Sequence, residues 1–350
     1  MSLSDDDDND EAELEPPHPR ETTVLFGHGE AERALLDAYR SGRVPHAFLI
    51  GGPPGIGKAT LAYRLARFIL AHPDPSAKAV QSAQSLALPE DHAVAQHVAA
   101  QAHVNLLVLE RTVGERGDTL RTFIAVDQVR LAIPFFGLTA GEGGWRIVIV
   151  DSADELNAAG ANALLKLLEE PPPRSLFLII SHAPGRLLAT IRSRCRRLML
   201  RPLAPADVAR AAAAALGRDP DEAEIREAAA AAEGSVGRAV ALLGGPLLDL
   251  RDRVIELLRR LPATDPRAMH ALGDSLERAD RVVLATFMDT VREWLSARLR
   301  AEAPEPARLA RVATAWDKVN AAARDVQEYN LERKPLVFNV FGWLAEASRG

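Results

Sequence analysis

The sequence predicts an α/β domain built on a parallel sheet, followed by an all-α remainder. Short apolar runs at residues 47–50, 106–110, 146–150 and 176–180 are each separated from the next by helical stretches, the alternation expected of parallel strands covered on both faces. A glycine-rich loop stands between the first run and a helix, and strand signals stop near Pro202. At 350 residues the chain exceeds one compact core and suggests two or three domains.

Residues 1–22 read as a disordered acidic tail. Within 1–21 stand nine acidic side chains against the single base Arg20, with almost no large apolar group to offset the entropy of ordering. Removing that −8 from the total of −6 leaves the rest of the chain at +2, so bulk charge makes no case for nucleic-acid binding, and any DNA-facing surface has to be a local patch. One cysteine, Cys195, excludes an internal disulfide framework and a cysteine-rich zinc site, and fits a reducing compartment; the cytoplasm is the expected location. Neither a leader segment nor an apolar run long enough to cross a bilayer is indicated.

The elements follow in order. Residues 29–41 have helical apolar spacing, 47–50 form a strand ending in Gly51, and 58–70 are helical again. A helix over 162–170 has to end at Pro171, Pro172 and Pro173, because proline lacks the amide donor and restricts the residue before it. Alanine-rich helices fill 204–245, and a longer helical segment runs from about 247 to the end.

The loop Gly52-Pro53-Pro54-Gly55-Ile56-Gly57-Lys58 has Walker A spacing. Its glycines let backbone amides point into a phosphate-sized cavity, the following helix adds partial positive charge, and Lys58 reaches the outer phosphates. The next position ordinarily supplies a hydroxyl to Mg²⁺; here it is Ala59, with Thr60 one place on, a change that spares phosphate binding more than metal positioning. Asp151 ends the strand at 146–150 as the first acid of a Walker B segment does. The second acid, which orients the attacking water, is replaced by Ser152, so hydrolysis at this site is expected to be crippled. Asp154 and Glu155 read as an acidic helix start that suits the helix dipole.

The Walker A loop, Asn162-Ala163-Leu164-Leu165-Lys166 leading to Glu169-Glu170-Pro171-Pro172, and Ser193-Arg194-Cys195 together resemble the bacterial clamp-loader family of AAA+ proteins. The likeness covers about residues 23–245, with a looser echo at Asn330-Leu331-Glu332-Arg333-Lys334. It implies a P-loop AAA+ domain over 23–203, a small helical lid over 204–246 and a helical collar over 247–350. Within the family the chain resembles the delta-prime branch more than the gamma/tau ATPases, which carry a carboxylate at the position of Ser152, a sensor arginine at that of Gly237 and a four-cysteine zinc module after the P-loop helix. Arg238 is one residue off, about 100° around a helix.

The resemblance implies ATP as the ligand of Gly52, Gly55, Gly57, Lys58, Ala59, Thr60, Asp151 and Ser181, with Mg²⁺ only alongside nucleotide and no zinc. It assigns Arg194 as an arginine finger acting on a neighbouring subunit's ATP. The expected partners are gamma/tau and delta subunits, a sliding clamp, and primer-template DNA met through the assembled ring, within a DNA polymerase (nucleotidyltransferase) holoenzyme. The alternative for Arg194 is a surface arginine in a basic cluster with Arg192, Arg196 and Arg197, and Ser181 with His182 can simply cap a turn. His72, His92, His97 and His103 lack zinc spacing and read as solvated. Trp294 and the apolar set Leu336, Val337, Phe338, Val340, Phe341, Trp343 and Leu344 read as core or as subunit interface. The competing functions are an autonomous AAA+ ATPase acting on DNA or protein, and a nucleotide-sensing scaffold in which Arg194 is inert.

Overall fold

The computed structural model describes residues 17–112, 123–137, 144–243, 246–277, 281–301, 306–329 and 331–349. The chain separates into two compact units, Met1–Val240 and Ala241–Gly350.

In the first unit, α1 (Gly29–Arg40) precedes β1 (Ala47–Gly51), which leads through the glycine loop into α2 (Lys58–Ala71). Two short helices, α3 (Lys78–Ser82) and α4 (Ala93–Ala99), precede β2 (Leu106–Leu109); α5 (Val126–Arg130) and α6 (Ala132–Gly137) precede β3 (Arg146–Val150). A single 3₁₀ turn, Ala153–Glu155, leads to α7 (Ala158–Glu169), then β4 (Ser175–Ser181), α8 (Ala189–Arg194) and β5 (Arg196–Met199). Helices α9 (Pro205–Leu216), α10 (Ala223–Ala231) and α11 (Val236–Leu243) follow.

The five strands form one parallel sheet in the order β2-β3-β4-β1-β5. Every residue of β1, β3 and β4 is buried, which is why these strands read as continuous apolar runs. Alternate residues serve two separate cores. Phe48, Ile50, Ile147, Ile149 and Leu178 pack with α1 and α2 through Leu35, Tyr39, Leu65 and Phe68. Ala47, Leu49, Val148, Phe177 and Ile179 face Val129, Leu164, Leu168 and Ile191 on the other side.

Two elements depart from the sequence reading. Helix α7 begins four residues earlier than the predicted 162, because Asn157 caps it, its Oδ1 accepting from Gly160 N–H at 2.7 Å. Strand β5 lies where no strand is predicted. It pairs only with β1, at the sheet edge, and Arg196, Arg197 and Met199 are exposed, so its four residues carry no apolar run.

The segment following α2 is fastened by backbone carbonyls and amides. Arg40 donates to Val80 O at 3.3 Å and to Ala83 O, Trp145 Nε1 donates to Pro73 O at 3.1 Å, and Glu32 accepts from Leu86 N–H at 3.0 Å. The histidines here are less solvated than their spacing suggests. His97 is exposed, but His72 packs its ring against Phe68, while the Nδ1 atoms of His92 and His103 accept from Val94 and Asn105 amides at 3.2 Å. Local turns and an adjacent aromatic ring, rather than water, take up these side chains.

In the second unit, α12 (Pro246–Arg259), α13 (Pro266–Glu277), α14 (Arg281–Ala301), α15 (Pro306–Tyr329) and α16 (Lys334–Ser348) surround a core of its own. Leu336, Val337, Val340, Phe341 and Leu344 are buried in it; Phe338, Trp343 and Trp294 are partly buried at its margin. Among the described residues, no helix is long and apolar enough to cross a membrane.

Glu32 carries two jobs, since its carboxylate also pairs with Arg64 Nε at 2.5 Å, both side chains being nearly buried. Glu32→Ala removes the counter-charge of the buried Arg64 guanidinium, which keeps only a carbonyl partner, and leaves the Leu86 amide without its acceptor; it should lower unfolding free energy by about 3–5 kcal/mol in urea titration. A loss below about 1 kcal/mol, the scale of an exposed pair, would show that the contact is not a structural tie.

Candidate functional site

The site forms at the carboxyl end of β1, where the chain order of the sheet switches: β1 lies between β4 and β5, while β2 and β3 lie beyond β4. The loop leaving this end contains Gly55 and Gly57 at φ +72° and +94°, a region that L side chains rarely enter. Gly57 is the residue before α2, and only its φ requires glycine; a Cβ there would lie no closer than 3.8 Å to His28. At Gly55 space is limiting too, because a Cβ would stand 2.2 Å from Ser235 Oγ. The loop tip is thus in contact with the start of α11, and Gly237 N–H donates to Gly55 O at 3.2 Å.

Lys58 opens α2 with its side chain buried and its ammonium donating to Pro53 O at 2.5 Å. Burial pulls its pKa down to about 8, against the opposing pull of Asp151 and Asp154. The loop is braced from outside by His28, whose Nε2 stands 2.6 Å from Ile56 O; since a carbonyl only accepts, Nε2 carries the proton. Burial lowers the pKa of His28 and favours this neutral form. His28 was invisible to sequence reasoning, as nothing in the motif spacing points 28 residues upstream.

Gly55, Gly57, Lys58, Ala59, Thr60 and Asp151 line a cavity of about 460 Å³, a size suited to a small ligand. Its apolar walls include Val24, Phe26, Leu203, Ala211 and Val240. Gly52 and Ser181 stand behind the cavity rather than in its lining, joined by Gly52 N–H donating to Ser181 O at 3.2 Å. Arg194 does not line it.

Residues 1–16 of the acidic segment lie outside the described residues. Residues 17–22, read from the sequence as the end of a tail, are placed against α2, and Pro17, Pro19, Glu21 and Thr22 line the cavity. Helix α2 explains this, because it buries two guanidinium groups that need acceptors. Arg67 donates to Arg20 O at 3.0 Å and Thr22 O at 2.5 Å, and Arg64 donates to Thr23 O. Burial, with Arg64 nearby, lowers Arg67 to about 10.

At the end of β3, burial and the neighbouring Glu110 raise the pKa of Asp151, while Lys58 lowers it. Ser152 is buried, and its Oγ has no hydrogen-bond partner among the described residues. Asp154 does more than begin a helical turn. Its carboxylate accepts from Ser181 Oγ at 2.9 Å, His182 N–H at 2.5 Å and Ala183 N–H at 3.1 Å, tying the segment after β3 to the end of β4. The Ser181 hydroxyl is wholly buried in this bond. Glu155 pairs with Arg111 at 2.9 Å.

Arg194, the last residue of α8, pairs with Glu169 Oε1 at 2.9 Å and donates to Thr190 O at 3.0 Å. The motif that ends α7 and the Ser-Arg-Cys motif therefore meet at the surface. Next to it, Cys195 is buried, and burial pushes its thiol up to about 11, away from reactivity.

Residues 27–204 match the family described as DNA polymerase III, delta subunit. The chain is 35% identical over 263 residues to the DNA polymerase III subunit delta' of Pseudomonas aeruginosa, covering 73% of this chain and 72% of that protein. It is 36% identical over 168 residues to the delta' subunit of Escherichia coli, covering 48% of this chain and 46% of that one. The gamma/tau subunit of Mycobacterium tuberculosis is 30% identical over 187 residues, 53% of this chain and 30% of that protein.

Asp154 separates two readings by magnitude. An acidic helix start contributes about 0.3–1 kcal/mol, whereas a carboxylate holding three donors contributes roughly 1.5–3 kcal/mol per bond lost and, when removed, leaves the buried Ser181 hydroxyl unmet. Asp154→Ala should therefore lower stability by about 3 kcal/mol or more in urea titration; a loss under 1 kcal/mol would restore the simpler role.

Proposed function

Because the chain belongs to the DNA polymerase III delta-subunit family, we propose that it acts as the delta' member of a clamp-loading assembly, binding nucleotide in its own cavity and donating Arg194 to a neighbouring subunit's ATP. The observation that carries this reading is the contrast between the two sites. The chain's own loop keeps Lys58 but has a methyl at residue 59 and a buried serine at 152, while Arg194 stands at the surface away from that loop.

Energetics favour the same division. Arg194 and Glu169 have side-chain exposures of 35% and 44%, and an ion pair between such groups contributes about 0–1 kcal/mol. Releasing the guanidinium to a neighbour's phosphates is therefore cheap, and a guanidinium on developing phosphoryl charge is worth roughly 10³–10⁵ in rate. Hydrolysis at the chain's own site lacks a base: Ser152 cannot polarise water, and Asp154 is occupied by three donors. The partners in this reading are gamma/tau and delta subunits, a sliding clamp and primer-template DNA reached through the assembled ring, in the cytoplasm. The intact Lys58 cradle also suits the alternative of an autonomous AAA+ ATPase, so turnover decides between them.

ATP turnover should be negligible for the purified chain and appear on mixing with gamma/tau and delta subunits. Arg194→Ala should lower turnover at the site it serves by about 10³-fold or more. Turnover by the chain alone that Lys58→Ala abolishes would sink the assembly reading; turnover in the mixture indifferent to Arg194→Ala would sink the finger.

Nucleotide affinity should depend on pH through Lys58, which faces Asp151, Asp154 and His182. Bound phosphate holds the ammonium charged, so above its free-state value of about 8 binding has to take up a proton. Affinity for a fluorescent ATP analogue should be flat from about pH 6.5 to 7.5 and weaken roughly fivefold between pH 8 and 9, and Lys58→Arg should abolish that fall. A profile for the unaltered chain that stays level past pH 9 would contradict the assignment.

A further inference from the structure

The geometry points to a nucleotide site that takes its ligand as a free polyphosphate anion, without Mg²⁺. This rests on the nucleotide-binding reading above and concerns what accompanies the ligand. Sites of this fold family hold Mg²⁺ through the hydroxyl after the loop lysine and through the acid ending the third strand, and the ion requires near-octahedral oxygen ligands.

The donors present here do not fit that ion. Residue 59 presents a methyl group, and Thr60 is displaced by about 100° around α2. Ser152 Oγ is buried. Both oxygens of Asp154 are engaged by Ser181, His182 and Ala183, and Glu155 is held by Arg111. Asp151, Glu21 and Glu90 are the acids in the lining, and of these only Asp151 stands at the end of a strand beside the loop lysine. Among the described residues, no three His, Cys, Asp or Glu side chains are grouped so as to hold a metal.

What the site offers instead is cationic and dipolar. Lys58 enters the lining from the first turn of α2, and the loop's amides stand at that helix's N-terminus, where partial positive charge gathers. Asp151 is the acid nearest the loop lysine, and Glu21 and Glu90 enter the lining from the segments before α1 and after α2. The apolar wall of Val24, Phe26, Leu203, Ala211 and Val240 suits the base, so the ligand class is a nucleoside polyphosphate.

The test is titration of a fluorescent, non-hydrolysable ATP analogue, mant-AMPPNP, into the full chain in excess EDTA and again in millimolar Mg²⁺. The dissociation constants should agree within about threefold, and Lys58→Ala should lose binding in both solutions. Ala59→Thr, which restores the hydroxyl, should gain Mg²⁺-dependent tightening of about tenfold. Binding by the unaltered chain that requires Mg²⁺ would overturn the inference and leave the nucleotide reading standing. Absence of binding in both solutions would overturn the nucleotide reading itself. Binding that survives Lys58→Ala would place the ligand elsewhere and defeat both. Should Ala59→Thr fold poorly, the comparison on the unaltered chain still decides; should it fold and stay indifferent to Mg²⁺, the missing hydroxyl is not the cause and the inference fails.

Discussion

The central strands of the sheet end side by side, and the polar groups at those ends, with Ser181 wholly buried and Asp154 half-buried, need partners within the protein. Ser181 resolves this requirement. Its carbonyl accepts from Gly52 N–H, its hydroxyl donates to Asp154, and Asp154 also takes the amides of His182 and Ala183. On the other side of β1, Leu200 N–H donates to Gly51 O at 2.8 Å. The phosphate loop, the turn after β3 and the start of the segment after β4 are thereby one hydrogen-bonded unit, in which removing Asp154 leaves the buried Ser181 hydroxyl unmet. This unit also limits chemistry. A carboxylate that holds three donors is a poor base for water, which, with the serine at 152, supports the proposed reading of a site that binds rather than hydrolyses.

The same economy governs the loop itself. Lys58 is a buried cation, and burial alone would favour its neutral form; Asp151 and Asp154 offset that only in part. An anion in the cavity would complete the compensation, which is why an intact cradle is consistent with a ligand even where metal and base are lacking. Around it, α11 touches the loop tip through Gly237 and Ser235, and the segment before α1 is drawn onto α2 by Arg64 and Arg67. The walls of the cavity thus come from segments far apart in sequence and are fixed in part by Ser235, Arg64 and Arg67, which lie outside its lining.

That distance decides what could be read from the sequence. The strands β1, β3 and β4 were legible because burial on both faces demands unbroken apolar runs, and the loop was legible because its backbone demands glycine at fixed spacing. Strand β5 was not, since an edge strand carrying Arg196 and Arg197 lacks the apolar signal. His28 on Ile56, Asp154 on Ser181 and Arg67 on Thr22 are polar pairs separated by 28, 27 and 45 residues, and no local pattern encodes them. Asp154 and Ser181 each read singly, as a helix start and as a nucleotide ligand or turn cap. What neither position disclosed was that they bond to each other.

Arg194 completes the contrast between fixed and adjustable parts. The groups behind the phosphate loop are buried, multiply bonded and costly to separate. The Arg194–Glu169 pair is partly exposed, hydrated and cheap to exchange for another anion. In the proposed role the guanidinium leaves its resting partner to reach a separate molecule, and a weak tether suits that role, since a buried one would cost several kcal/mol to break. Glu169 ends α7 just before Pro171, so the helix stop that is plain in the sequence also sets where the carboxylate facing Arg194 stands. In the proposed reading the rigid elements of the sheet thus hold a movable charge at their surface, and the reaction it serves is not the one at the chain's own loop.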